Sequence, residues 1–220
     1  MGGAKAAAVA AALMFAAYAD AHRLDEVLQA VQVHLFADHA ELDVTLTPGV
    51  NLAGAFFSRA DRDGDGSVSP AESQLFAARW LEKVTLTIDG TPVHPRIRSA
   101  TFPQFQDLSG GEGMVRMNLR SPDVARRAGH HQLSIRNDND PATSIYLQNA
   151  VIPLDKNVVI AAQSRNMTQS IYTVDYDVAS AWSWASPTWL IVAVSAVLLL
   201  FLLRKSCSST GRQVVWRSRS

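Results

Sequence analysis

The chain has a single cysteine, Cys207, in 220 residues. It lies beyond the last long apolar run, so the chain upstream of it has no disulfide and must be held by core burial. Charge of one sign is also missing. The formal net charge is zero, and from His22 to Leu203 there are 19 acidic residues against 14 Lys or Arg, which leaves −5. That is the wrong sign for a nucleic-acid partner, and none is expected. Catalytic patterns are absent as well. The six histidines are His22, His34, His39, His94, His130 and His131, and none stands in a His-Glu-x-x-His arrangement. There is no Gly-x-Ser-x-Gly elbow and no glycine loop shaped for phosphate. An enzyme is not expected. His34 alternates with Gln32 and Phe36 and reads as a sheet residue, while His130 and His131 read as a turn pair whose rings point to opposite faces of the strand that follows.

What is present is an acidic run of unusual regularity. From Asp61 to Glu72 the sequence reads Asp-Arg-Asp-Gly-Asp-Gly-Ser-Val-Ser-Pro-Ala-Glu, with acids at positions 1, 3, 5 and 12 and glycine at position 6 of a twelve-residue loop. A hard cation such as Ca2+ takes six to eight oxygens, so a loop that binds it must converge several carboxylates on one point. Asp61, Asp63 and Asp65 would each give one oxygen. Ser67 would give its backbone carbonyl, Ser69 would act directly or through water, and Glu72 would close the shell with both oxygens. Gly66 permits the sharp turn, and Val68 points away from the ion into the local core. The competing explanation is an acidic surface turn, since Asp-Gly pairs are ordinary turn formers. It leaves four carboxylates repelling one another with only Arg62 nearby, a cost that a bound cation relieves.

The flanks fit the loop. Leu52, Phe56 and Phe57 lie on one face of an entering helix over Asn51 to Ala60. Ser69, Pro70 and Glu72 read as N-cap, first helical residue and N3 of a capping box, and Leu75, Phe76 and Trp80 form the stripe of an exiting helix. Over Asn51 to Trp80 the chain resembles the EF-hand family, with Ser73 standing where that family usually has an apolar residue. The resemblance implies Ca2+ as the bound ion. EF-hands usually pair and no second loop of this spacing occurs, so this hand, placed at residues 51–82, is expected to lean on the rest of the fold.

Location follows from the two ends. A short basic start, an apolar stretch from Ala6 to Tyr18 of about thirteen residues, and Ala19-Asp20-Ala21 read as a signal peptide over residues 1–21, too short for the roughly 20 residues of a spanning helix. No charged residue occurs from Val178 to Leu203. After a linker at 179–187, the aliphatic stretch 188–203 reads as one transmembrane helix, with Trp182, Trp184 and Trp189 at interface positions and Arg204-Lys205 stopping it. Residues 204–220 form a basic tail that belongs in the cytoplasm, so the domain from 22 to 178 lies outside, in a periplasm or in the extracellular space.

Around the hand the pattern has period two. Leu42, Val44 and Leu46 alternate with polar residues, as do Val84, Leu86 and Ile88 ahead of an Asp89-Gly90 turn. Val115-Met117-Leu119, Leu133-Ile135, Ile145-Leu147, Val158 to Ala162 and Tyr172-Val174-Tyr176-Val178 continue it. The expected fold is mainly β, an antiparallel sandwich with the helix-loop-helix inserted between its second and third strands, followed by one membrane helix. Calcium would act as a structural clamp on an extracytoplasmic interaction domain, at the roughly 10⁻⁴ to 10⁻³ M affinity of extracellular modules.

A different function is also open. If the signal peptide ends at Ala21, His22 becomes an N-terminal amine beside an imidazole, a pair that suits nickel or copper. Ala21-His22-Arg23-Leu24-Asp25-Glu26, Leu42 to Pro48, Ser144 to Ala150 and Tyr172 to Tyr176 resemble the extracytoplasmic N-terminal part of HupE/UreJ-type bacterial membrane proteins. That resemblance implies nickel or cobalt uptake through a bundle of membrane helices, of which this chain has one. The expectation it supports is an accessory subunit beside a membrane-protein partner in a nickel, cobalt or copper transport system.

Overall fold

Alternation of buried and exposed side chains organises the domain. In β2 (Ala40–Pro48), Ala40, Leu42, Val44, Leu46 and Pro48 turn inward, and in β10 (Ile171–Val178), Tyr172, Val174, Tyr176 and Val178 do the same. β-Branched and aromatic residues at every second position suit a half-buried pleated strand. The computed structural model describes residues 25–124 and 127–179. Within them the remaining strands are β1 (Val27–Leu35), β3 (Val84–Ile88), β4 (Thr91–Val93), β5 (Arg96–Thr101), β6 (Val115–Arg120), β7 (Gly129–Asn137), β8 (Ser144–Ala150) and β9 (Val158–Arg165). The helices are α1 (Ala53–Ser58), α2 (Pro70–Leu81) and α3 (Phe105–Ser109).

The strands form two five-stranded sheets, ordered β5-β6-β2-β1-β8 and β4-β3-β7-β10-β9. Val31, Leu42 and Leu119 from the first and Leu86, Ile135 and Tyr172 from the second belong to one buried cluster. The domain is therefore mainly β, with two antiparallel-rich sheets sharing a core, and α1 and α2 are inserted between β2 and β3 as the period-two pattern predicts.

Two expectations are corrected. The sheets are not wholly antiparallel, because β8 pairs parallel with β1, Val27 opposite Ser144 through Val33 opposite Ala150. The chain reaches β8 by crossing from β7 of the second sheet, so β8 joins the first sheet from its edge and not through a hairpin. The inward face of β8 is also the reverse of the one expected. Ile145 and Leu147 are each 44% exposed, whereas Tyr146 and Gln148 are buried. Hydrogen bonding decides the inversion. The Tyr146 hydroxyl donates to the Asn139 carbonyl at 2.7 Å, and Gln148 Nε2 donates to the Gln169 carbonyl at 2.9 Å, so both buried donors are satisfied, while Gln148 Oε1 is buried without a hydrogen-bond partner. β9 departs in a milder way: only Val158 is fully buried, as befits an edge strand. β4, β5 and α3 are elements that the pattern did not predict. His130 and His131 lie within β7 itself, reaching Asp177 at 3.1 Å and Asp89 at 2.7 Å from opposite faces.

The two ends of the sheets are chemically distinct. At one end Val27 faces Pro48, and β7 finishes at Asn137 beside the start of β3. At the other, Leu35 faces Ala40 and Val158 faces Val178. The helices belong to the first end. The expected signal peptide at 1–21 and the expected membrane helix at 188–203 lie outside the described residues. Among the described residues no helix is long and apolar enough to cross a membrane.

Candidate metal centre

The acidic loop opens where α1 closes: the backbone N–H of Asp61 donates to the Phe57 carbonyl at 3.0 Å. Gly64 and Gly66 then take φ of 73° and 85°, left-handed conformations that a side chain would strain. Those two turns aim backbone donors inward. Asp61 accepts from Gly64 N–H at 2.9 Å through Oδ1 and from Gly66 N–H at 3.0 Å through Oδ2. Asp63 accepts from Asp65 N–H at 3.2 Å, and Asp65 accepts from both the N–H and the hydroxyl of Ser67 at 2.8 Å. As a result one oxygen from each of Asp61, Asp63 and Asp65 lies within 4.8 Å of the other two. Three negative charges held this close repel, and the donor N–H groups offset only part of that cost.

Glu72 and Ser69 have a different place. The capping box at the start of α2 is complete, with Ser69 as N-cap and Pro70 in the first turn. Glu72 Oε2 accepts from the N–H and the hydroxyl of Ser69, both at 2.9 Å, and Oε1 accepts from Arg62 N–H at 2.7 Å. Hydrogen bonds from the Ser69 and Arg62 backbone N–H groups hold the Glu72 carboxyl down at about 2, since each donor favours the charged form. Glu72 thus ties the first residues of the loop to the last while remaining ionised, and the converging trio is made by the three aspartates alone. A donor set made of oxygens alone suits a hard cation better than a softer metal. Asp61, Asp63 and Asp65 would hold the ion, with Ser67, Ser69 and Glu72 completing its shell.

Beneath the loop, the helices dock on an aromatic cluster. Phe56 and Phe76, one from each helix, meet edge to face at 5.4 Å between centroids, and both pack on Phe102 at 6.0 and 5.0 Å. Phe57 meets Phe105 of α3 at 5.2 Å. Ser73 is buried, and Val68 packs partly buried against the domain core. At its far end α2 is held by a buried polar network. Trp80 Nε1 donates to Gln29 Oε1 at 2.9 Å, and Asn137 Nδ2 donates to the same oxygen at 2.9 Å. Gln29 Nε2 donates to the Asn139 carbonyl at 3.0 Å, and Asn139 Nδ2 donates to the Trp80 carbonyl at 2.9 Å. This network joins β1, β7 and α2. Arg59, at the end of α1, donates to Asp140 at 2.7 Å, and Arg59 foremost draws the Asp140 carboxyl below its ordinary range, Lys83 adding to the effect.

Sequence reasoning picked out the loop and both helices but missed Phe102, Phe105, Gln29, Asn137 and Asn139. The available signal for the phenylalanines was their three-residue spacing around Pro103. For the amides there was none, because a buried Gln or Asn reads as a surface residue until its partners are known. A second convergent group, Asp38, His39 and Asp123, also has ligand atoms within 4.8 Å of one another. It already contains a cation: Arg120 donates to Asp123 at 2.8 Å and to Glu41 at 3.1 Å, so it is an ion-pair network. His22, the expected transition-metal ligand, lies outside the described residues.

No family model, no curated protein and no solved structure matches this chain.

Proposed function

We propose that this is a calcium-binding protein in which one EF-hand-like loop clamps a two-sheet extracytoplasmic interaction domain, anchored to a membrane through a single C-terminal helix. The convergence of Asp61, Asp63 and Asp65 within 4.8 Å, on a loop whose flanking helices bury Phe56, Phe57 and Trp80 in the domain core, carries the reading. The bound ion would supply positive charge at the point where the three carboxylates repel. Its binding energy would then favour the closed loop between helices that already sit on Phe102. An ion held mainly by local carboxylates and backbone oxygens in an exposed loop suits the weak affinity of extracellular modules, so a structural clamp accounts for the site better than a fast sensor.

The test is thermal melting of the full-length protein with and without calcium. At ten times its dissociation constant the ion contributes about 1.4 kcal/mol, enough to raise the melting temperature by several degrees. Asp61→Ala abolishes the increment. A melting curve indifferent to calcium, or an equal rise in the variant, refutes the proposal. A calorimetric titration with magnesium in place of calcium separates a selective site from general charge screening.

A further inference from the structure

The end of the domain away from the acidic loop exposes apolar side chains on a segment whose backbone is held in place. Between β8 and β9, residues 151–157 read Val-Ile-Pro-Leu-Asp-Lys-Asn. Ile152 is 88% and Leu154 is 82% exposed. These are large aliphatic side chains turned fully to solvent, on a loop that is firmly tethered. Val151 N–H donates to the Val33 carbonyl at 3.0 Å, Val158 N–H to the Asp155 carbonyl at 3.0 Å, and Ala179 N–H to the Asn157 carbonyl at 2.7 Å.

Charge on the loop is sorted in the same way. The Asp155 carboxylate is spent internally, accepting from Ala37 N–H and from Asn157 N–H, both at 2.9 Å. Lys156 is left as the outward charge. Residues 152, 154 and 156 are thus the exposed positions of the loop, two aliphatic groups and a cation. Val124, 59% exposed, lies on the same rim, its N–H on the Asp38 carbonyl at 2.7 Å. Asp38 and Asp123, the acidic residues nearby, are engaged by His39 and Arg120. Rigidly displayed aliphatic side chains beside a lysine are what an interfacial segment needs: the apolar groups enter the acyl boundary and the cation meets anionic headgroups.

The path of the chain names the occupant. The described chain ends at Ala179, hydrogen-bonded to this loop, and the sequence then runs without a charged residue to Leu203. We propose that the Ile152–Leu154–Lys156 rim is a bilayer-contact surface, seated in the headgroup layer, which presents the acidic loop on the side away from the membrane. It rests on the membrane-anchored reading above. β1, nine residues long, separates the two ends by about 30 Å at ~3.3 Å per residue, so the loop would stand clear of the headgroups and of most of their surface potential.

The experiment uses the full-length protein in nanodiscs of phosphatidylcholine and phosphatidylserine, with Cys207→Ser to remove the native thiol. A nitroxide is placed by Leu154→Cys or, as control, by Met167→Cys. Met167 is wholly exposed in the β9–β10 turn at the opposite end. Accessibility to oxygen relative to a water-soluble nickel chelate should be several-fold higher for the label at 154 than at 167. Equal water exposure of the two labels in protein that co-floats with lipid overturns the rim contact and leaves the anchor standing. Failure to co-float overturns the anchor and the rim with it. Spin–spin broadening at 154 with no gain in oxygen accessibility assigns the rim to a second copy of the chain, and so overturns the lipid assignment.

Discussion

Gln29→Leu should be the most damaging near-isosteric change in the domain. Gln29 is 3% exposed and its two polar atoms serve four partners: Oε1 accepts from Trp80 Nε1 and Asn137 Nδ2, and Nε2 donates to the Asn139 carbonyl and the Ser144 hydroxyl. Leucine fills the space but orphans two buried donors. The Asn139 carbonyl survives the change, because it keeps the Tyr146 hydroxyl at 2.7 Å. Each buried donor left unpaired costs about 1 to 3 kcal/mol, which puts the expected loss at about 2 to 6 kcal/mol, against a total stability of about 5 to 15 kcal/mol for an ordinary domain. Urea denaturation followed by circular dichroism reads it as a lower midpoint at unchanged slope. A double-mutant cycle sharpens the attribution. Trp80→Phe removes one of the two orphans, so it should cost clearly less in the Gln29→Leu background than alone, a coupling of about 1 to 3 kcal/mol. A loss under about 1 kcal/mol, or strict additivity of the two changes, would mean that water satisfies the site and that the network does not hold α2.

Other expectations follow from the same geometry. Glu72 has its carboxyl depressed from 4.5 to about 2, so its contribution is complete above 4.5 and is lost as pH falls towards 2; melting temperatures across that window should fall more steeply for the native chain than for Glu72→Gln. Asp140 pairs with Arg59 and holds a φ of 45°, so Asp140→Asn, which tolerates that conformation, should cost about 0.5 to 1 kcal/mol, and Asp140→Ala about 1 kcal/mol more, by chemical denaturation. The inverted face of β8 is tested by a pair: Ile145→Thr should stay within about 0.5 kcal/mol of the native chain, while Tyr146→Ala, which empties a buried site, should cost about 3 to 5 kcal/mol. Phe102→Ala touches none of the oxygens proposed as ligands, yet it should weaken the proposed calcium binding, measured by calorimetry, because both helices rest on that ring.

How much of this was legible in the sequence depends on how far apart the deciding partners lie. The capping box was readable because Ser69, Pro70 and Glu72 decide it among themselves within one turn. The aspartate trio was readable for the same reason, its carboxylates being oriented by Gly64, Gly66 and Ser67. The alternating strands β2, β6 and β10 were readable because each buries one full face. β8 was not. Ile145 and Leu147 look like core residues beside Tyr146 and Gln148, and only Asn139, Gln169 and Ser170, brought close by the fold, take up the donors of the buried pair. The parallel pairing of β8 with β1 was hidden too, because nothing local distinguishes an edge reached by crossing between sheets from one reached through a hairpin. The Gln29 network was least accessible of all. It joins residues 51 to 110 positions apart, and its members carry the side chains that a sequence places at the surface.

The same distinction bears on how the single hand proposed above would manage without a second. α1 has six residues and α2 twelve, and helices of that length are marginal alone in water. Two paired hands support each other by sharing an apolar face. Here Phe102 and Phe105 supply that face from the segment that follows β5, and the Gln29 network and the Arg59–Asp140 ion pair pin the helix ends. The helices are therefore largely placed without any ion, and what the proposed calcium would decide is the loop, where three carboxylates are drawn together by backbone donors that cannot fully neutralise them. A loop whose frame is prebuilt pays little ordering entropy on binding. The binding energy of the proposed calcium would then go into relieving repulsion and fixing Asp61 to Glu72. On the proposed reading the ion would be a clamp acting at one end of the two-sheet domain, and the burden of the domain's fold rests on the apolar core and the amide network, which do not depend on it.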